Sequence, residues 1–287
     1  MARPEENEPV GAGTTPRRRI LAGFGPIADE MQTIEAALAL AGALRAEIAG
    51  HFVEESSLLD FAALPFAKTF RPTDRSAVPL ELRQMEREIS HAAATWRRTL
   101  GARAQRSRIA CTFATSRGEY CTEIAKAAIE TDIVVVNPAN VAARSRHAVA
   151  AILGTIKNVP ITVLLPDYAP VRSPGPVVLL AGDAVPDLEI FVLAGRMAAL
   201  SGTHLIVLSS RKNHAPVDAA LSKASQAIAA DIEVRSVTED SASEEIGSVA
   251  ALQPSFVICP PGAQHRSEAD VAALLRFSRA PLLLMRR

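Results

Sequence analysis

Short unbroken apolar runs alternate along this chain with stretches whose apolar positions return every three or four residues. The first kind reads as buried strand and the second as amphipathic helix. Arg19–Gly25 is a run ended by Gly-Pro and predicts a strand. Residues 28–47 carry Met31, Ile34, Ala37, Leu38, Ala41 and Leu44 at helical spacing. Glu47–Val53 predicts a second strand, and residues 54–78 read as irregular, punctuated by prolines. The clearest helix is 80–103, with Leu82, Met85, Ile89, Ala92, Trp96 and Leu100 on one face. Strands follow at Arg108–Thr115, Asp132–Val136 and Pro160–Leu165, separated by helices at 119–131 and about 147–157.

The order then repeats. Strands are expected at Val177–Gly182, His204–Ser209, Asp231–Val237, Ser255–Cys259 and Pro281–Met285. Helices are expected at 186–201, 216–230, 242–252 and 268–278. Val178-Leu179-Leu180-Ala181-Gly182 echoes Ile20-Leu21-Ala22-Gly23-Phe24, and Ala280-Pro281-Leu282-Leu283-Leu284 echoes Val159-Pro160-Ile161-Thr162-Val163. This is an internal duplication. Continuous apolar strands between helices mean parallel sheets covered on both faces. The expected fold class is therefore α/β: two tandem doubly wound domains of five parallel strands each. The expected division is a disordered tail at 1–17, a first domain at 18–166 with an insertion at about 54–90, a linker at 167–175 and a second domain at 176–287.

Composition narrows the function classes. The chain has 287 residues, with 31 Lys+Arg against 31 Asp+Glu, so no global charge draws it to nucleic acid. Aromatics at 4% argue against stacking platforms for single strands. The three cysteines at wide spacing make no disulfide framework, which fits a reducing, cytoplasmic setting. No apolar stretch reaches the ~20 residues of a spanning helix, so no membrane is expected. Arg17-Arg18-Arg19 before an apolar run imitates an export signal, but Asp29 and Glu30 follow at once and the run reads as the first strand.

In the order of its elements, occurring twice, the chain resembles the universal stress protein family in its tandem form. The carriers are the opening strand and helix (Ile20 to Glu47, Val178 to His204), the apolar Asp132–Val136 strand, and the closing helix–Pro–strand (Ile156 to Leu165, Leu275 to Met285). The resemblance implies an adenine nucleotide alpha hydrolase-like, Rossmann-like fold. It implies an ATP site at the carboxyl ends of the strands, with an acid after strand one and a Gly-x-x-Gly…Gly-Ser/Thr phosphate cradle after strand four. It also implies that Pro160–Leu165 and Pro281–Met285 meet within one chain as an intramolecular pseudo-dimer, and that two chains form a homodimer.

Both halves depart from that site pattern. In the first, Gly25 stands at the acid position, Asn137 and Asn140 replace the two glycines, and Ala148–Ala151 replaces Gly-Ser. In the second, Asp183 keeps the acid, but Pro260-Pro261-Gly262-Ala263 offers few N–H groups. The usual ATP cofactor is therefore not expected. An adenine nucleotide or other anionic metabolite remains an alternative, held by Asp183, Gly262, His265, Arg266 and Ser267. The plainer reading is preferred, with Asp183 as a turn or cap acid and Arg144–His147 and His265–Ser267 as wet turns.

Leu58, Phe61, Leu64 and Phe66 give the insertion an apolar character and make it a candidate interaction surface for an unknown protein partner. Cys121, at a helix start, is a candidate oxidant sensor, with a buried inert thiol as the alternative. No metal spacing, nucleophile elbow or phosphate loop is present, so neither a catalytic nor a metal site is expected. The expected function is a non-enzymatic stress-response module.

Overall fold

The computed structural model describes residues 18–70, 77–130, 132–141, 147–166, 175–182, 185–224, 228, 231–237, 242–261 and 267–286. The first half runs β1 (Arg19–Phe24), α1 (Met31–Leu44), β2 (Glu47–Glu55), α2 (Ser56–Ala62), the hairpin β3 (Lys68–Phe70) and β4 (Ala77–Pro79), α3 (Leu82–Arg106), β5 (Cys111–Gly118), α4 (Tyr120–Ala127), β6 (Ile133–Val136), a 3-10 turn (Pro138–Asn140), α5 (Ala148–Thr155) and β7 (Ile161–Leu164). The second half runs β8 (Val177–Gly182), α6 (Leu188–Leu200), β9 (Leu205–Ser210), α7 (His214–Ala224), β10 (Ile232–Val237), α8 (Ala242–Leu252), β11 (Phe256–Cys259), α9 (Glu268–Ser278) and β12 (Leu282–Met285).

Ten strands form one sheet in the order β10-β9-β8-β11-β12-β7-β6-β1-β2-β5. Each half contributes five parallel strands, and β7 joins β12 antiparallel, with Leu164 opposite Leu282 and Ile161 opposite Met285. The alternation of strand side chains sorts the core onto two faces. Ile20, Ala22 and Phe24 pack with α1, α3 and α6, whereas Leu21, Val134 and Val136 pack with α4, α5 and α9. Both clusters run through both halves, so the second half continues the first half's sheet and core. Helices α1 and α6 touch on one face, and α5 and α9 on the other. Arg286 fastens the seam: its N–H donates to Pro160 O at 2.7 Å, and its guanidinium reaches the Ile156 and Leu153 carbonyls at the end of α5. Those carbonyls are the unpaired acceptors of a helix end, where a cation is favourable.

The insertion is more regular than its sequence suggested. Instead of an irregular 54–78, β2 continues to Glu55, α2 follows, and a short hairpin precedes α3. The Glu55 carboxylate explains α2: it accepts from Ser57 Oγ at 2.9 Å and caps the helix. Two helices are shorter than expected, with α4 ending at Ala127 and α1 at Leu44, where Arg45 turns left-handed at φ 54. Strand β5 lies three residues later than expected, starting at Cys111 and extending to Gly118. The expected tail at 1–17 and nearly all of the expected linker lie outside the described residues. No described helix is long and apolar enough to cross a membrane.

Candidate functional site

In a doubly wound sheet the crevice lies at the carboxyl ends of the strands, where the strand order reverses. Here the reversal falls between β1 and β6 in the first half and between β8 and β11 in the second.

The first crevice is filled by the chain's own polar side chains. Strand β1 ends at Phe24, and Gly25 begins the loop to α1. Glu30, fully buried at the start of α1, accepts from Gly25 N–H at 2.8 Å and from Asn140 Nδ2 at 2.5 Å. Its other oxygen accepts from Thr33 Oγ1. Asn140 also accepts from Ala28 N–H at 3.0 Å, so one carboxamide ties the β1–α1 loop to the turn after β6. That turn is set by Asn137, whose side chain accepts from Ala139 N–H at 3.0 Å. A β-carbon on residue 25 would overlap the Asn140 side chain, so only glycine fits there. Burial pushes the Glu30 carboxyl up to about 7, against the lowering effect of its donors Thr33, Asn140 and Gly25.

Tyr120 closes the floor. Its hydroxyl donates to Gly23 O at 3.0 Å, and a β-carbon on Gly23 would collide with it and with Ile124. Burial, then the neighbouring Glu30, raises the hydroxyl well above its ordinary value, so it stays protonated. The nearby helix start is occupied as well. Tyr120 N–H donates to Glu55 at 2.9 Å, and Cys121 and Thr122 N–H donate to Glu119 at 3.1 and 2.7 Å. The N–H groups at the start of α4 therefore already hold carboxylates. Asn137 and Asn140 were visible as replaced glycines. The parts played by Glu30, Glu55 and Tyr120 were not foreseen. The only hint was an acid placed just after an apolar loop.

Cys121 is buried in this wall, and burial first, then Glu119, pushes its thiol up to about 12. Burial and the raised thiol favour the buried, inert reading of Cys121, because the thiolate is the reactive form.

The second crevice is described in part. Asp183, Gly262, His265 and Arg266 lie outside the described residues, as do Arg144 and Arg146 of the first half. Ser267 caps α9: its hydroxyl accepts from Asp270 N–H at 3.2 Å, and its own N–H donates to the Asp270 carboxylate at 2.9 Å. This reciprocal box occupies both groups. The N-cap of α6 is Asp187, not Asp183. Gly182 ends β8 at φ 53, a left-handed conformation that suits glycine. The Ser210 hydroxyl at the end of β9 is buried without a hydrogen-bond partner among the described residues. On the insertion, Phe61, Leu64 and Phe66 are exposed and Leu58 is half-buried, whereas Leu59 and Ala62 point into the core. No group of His, Cys, Asp and Glu among the described residues could hold a metal ion.

No protein-family model matches the chain, and no curated protein matches it. Solved structures do. A universal stress protein from Archaeoglobus fulgidus aligns over 94% of this chain and 96% of its own, with a TM-score of 0.57 and 12% identity. A universal stress protein from Pseudomonas aeruginosa aligns over 94% of each chain, with a TM-score of 0.53 and 13% identity. The fold is that of the universal stress proteins. A functionally unknown protein of P. aeruginosa also shares this fold, over 94% of this chain at a TM-score of 0.50 and 12% identity. The α/β, Rossmann-like class read from the sequence is thereby shown.

Proposed function

We propose that this chain is a non-enzymatic stress-response or regulatory module that acts by binding a partner, with a first-half nucleotide site closed by its own residues. The observation that carries this reading is the Glu30–Asn140–Gly25 network. It takes up the Gly25 and Ala28 N–H groups and fills the space beside Gly25 with a carboxamide, with a buried carboxyl next to it, and this supports a site that does not take a nucleotide in the family manner. The pairing of β7 with β12 is read as a single-chain counterpart of two paired domains, a pseudo-dimer that leaves further dimerisation to other surfaces. The test is thermal unfolding of the full chain with ATP, ADP or AMP and magnesium at millimolar concentration. No shift supports closed sites, since a ligand that binds the native state raises its stability. A shift abolished by Asn140→Ala but not by Asp183→Ala would overturn the reading.

A second reading places an adenine nucleotide or anionic metabolite in the second half. It is favoured by the glycine turn at Gly182 and by the unpartnered Ser210 hydroxyl at the neighbouring strand end. A thermal shift lost in both Asp183→Ala and Ser210→Ala would support it. A third reading gives partner binding to the exposed Phe61 and Phe66. Phe61→Ser with Phe66→Ser would then abolish self-association while leaving the melting temperature in place.

A further inference from the structure

Among the described residues, strand β5 is the outermost strand of the sheet, paired only with β2 along the eight residues Cys111–Gly118. In a parallel ladder alternate residues direct their N–H and C=O to the same neighbour. Ala110 O accepts from Ile48 N–H, so the even-numbered residues of β5 face β2. Cys111, Phe113, Thr115 and Arg117 therefore turn their backbone groups away from the sheet, and Thr115 and Arg117 are exposed. Such a row is a template for another strand.

The chain leading into this edge is rich in one charge although the net charge is zero, whereas Glu54, Glu86 and Glu123 gather at the strand's carboxyl end. Between Glu88 and Glu119 there is no acidic residue and there are six arginines. Arg103 pairs with Glu35, and Arg117 with Glu54 and Glu86. Arg97, Arg98, Arg106 and Arg108 are exposed and have no carboxylate partner among the described residues. Arg97 lies over the Phe113 ring, 5.5 Å from its centroid, which sets a guanidinium above the open edge. An open groove of about 490 Å³ along α3 is lined by Arg83, Glu86, Arg87 and Ser90.

We propose that β5 is a docking edge for an extended acidic segment of a partner protein, which adds as a further strand and sets its carboxylates against Arg97 and Arg108, which carry no carboxylate partner among the described residues. Backbone pairing supplies the register, and the arginines select the sequence. The same arginines argue against a second copy of this edge as the occupant, because two β5 strands side by side would oppose like charges. This inference does not depend on whether the nucleotide site is closed.

The test uses the full chain and a fluorescein-labelled octapeptide of alternating threonine and glutamate, with a threonine–lysine octapeptide as control. At about 50 mM salt, where exposed charges are weakly screened, anisotropy is expected to show saturable binding of the acidic peptide alone. Binding is expected to weaken by about tenfold in Arg97→Glu and, independently, in Arg108→Glu, whose exposed side chain the core does not use. Amide hydrogen exchange at Cys111, Phe113, Thr115 and Arg117 is expected to slow when the peptide is bound. The proposal is overturned by absence of saturable binding. It is also overturned by binding that leaves those four amides unchanged, which would make the surface a simple polyanion patch. Tighter binding of single-stranded oligothymidylate than of the acidic peptide would overturn it too. So would protection of those amides in the free protein that rises with its concentration, which would assign the edge to a second copy.

Discussion

Asn140 donates to Glu30 at 2.5 Å across 110 positions of sequence, and this contact ties the β1–α1 loop to the turn after β6. Beside it, Gly25 has no room for a side chain. Gly25→Asp, which would restore the acid of the family pattern, is therefore expected to destabilise the chain by about 2 kcal/mol through overpacking. Asn140→Gly in the same molecule is expected to recover at least about 1 kcal/mol of that loss, because the two side chains compete for one space. Urea unfolding of both single variants and the double variant measures this coupling.

Glu30 makes stability depend on pH. Its carboxyl is raised from 4.5 to about 7 by burial, so the folded chain holds a proton that the unfolded chain has released. Its contribution is full below pH 4.5 and is lost as pH rises to about 7. The loss is on the order of 3 kcal/mol at 1.36 kcal/mol per pH unit. Glu30→Gln is expected to flatten this slope. Its amide oxygen can accept from Gly25 and Asn140, and its NH₂ can donate to the Thr33 hydroxyl. Unfolding free energies of both proteins across pH 4–8 check it.

The seam has a testable weak point. Thr162 of β7 sits opposite Leu284 of β12, and its hydroxyl is buried without a hydrogen-bond partner among the described residues. Thr162→Val removes that unmet polar group at nearly constant shape and is expected to stabilise the chain by about 1 kcal/mol. Arg286→Ala, which frees the end of α5 from β12, is expected to cost about 1–2 kcal/mol. Chemical denaturation measures both.

At the opposite end of β1, Arg19 grips the fully buried Asp132 with two hydrogen bonds of 2.9 and 2.6 Å, and Asp132 also accepts from Ile129 N–H. Asp132→Ala leaves the guanidinium and that N–H without their acceptor. The expected cost is about 2–3 kcal/mol, less than for a wholly buried pair because Arg19 keeps 27% of its side-chain exposure.

Thiol reactivity separates the three cysteines. Cys111 is half-buried, whereas Cys121 and Cys259 are buried. A thiol reagent at pH 8 is expected to modify Cys111 first and slowly, since burial raises its thiol as well. The other two are expected to react only on unfolding. Mass spectrometry of digested, partly labelled protein resolves the order.

The inner strands of the sheet were legible in the sequence because they are buried on both faces. Ile133–Val136 has no exposed position, and such a run has few alternatives. Helix α2 was hidden because its cap, Glu55, is an acid at the end of a strand, and its apolar residues split between Leu59 in the core and Phe61 in solvent. The departure of Asn137 and Asn140 from the glycine pattern was plain in the sequence. Their partners were not, because Glu30, Gly25 and Asn140 are brought together only by the β1–β6 pairing. A linear reading sees a missing glycine, whereas the folded chain also shows what took its place.

Photolabelling of the full chain with 8-azido-ATP and magnesium, followed by peptide mapping, tests the closed first-half site most directly. The predicted result is no label on peptides carrying Gly25–Glu30 or Asn137–Asn140, and label at both after Asn140→Gly is combined with Glu30→Ala. Label on those peptides in the unaltered chain, competed by unlabelled ATP, would contradict the account.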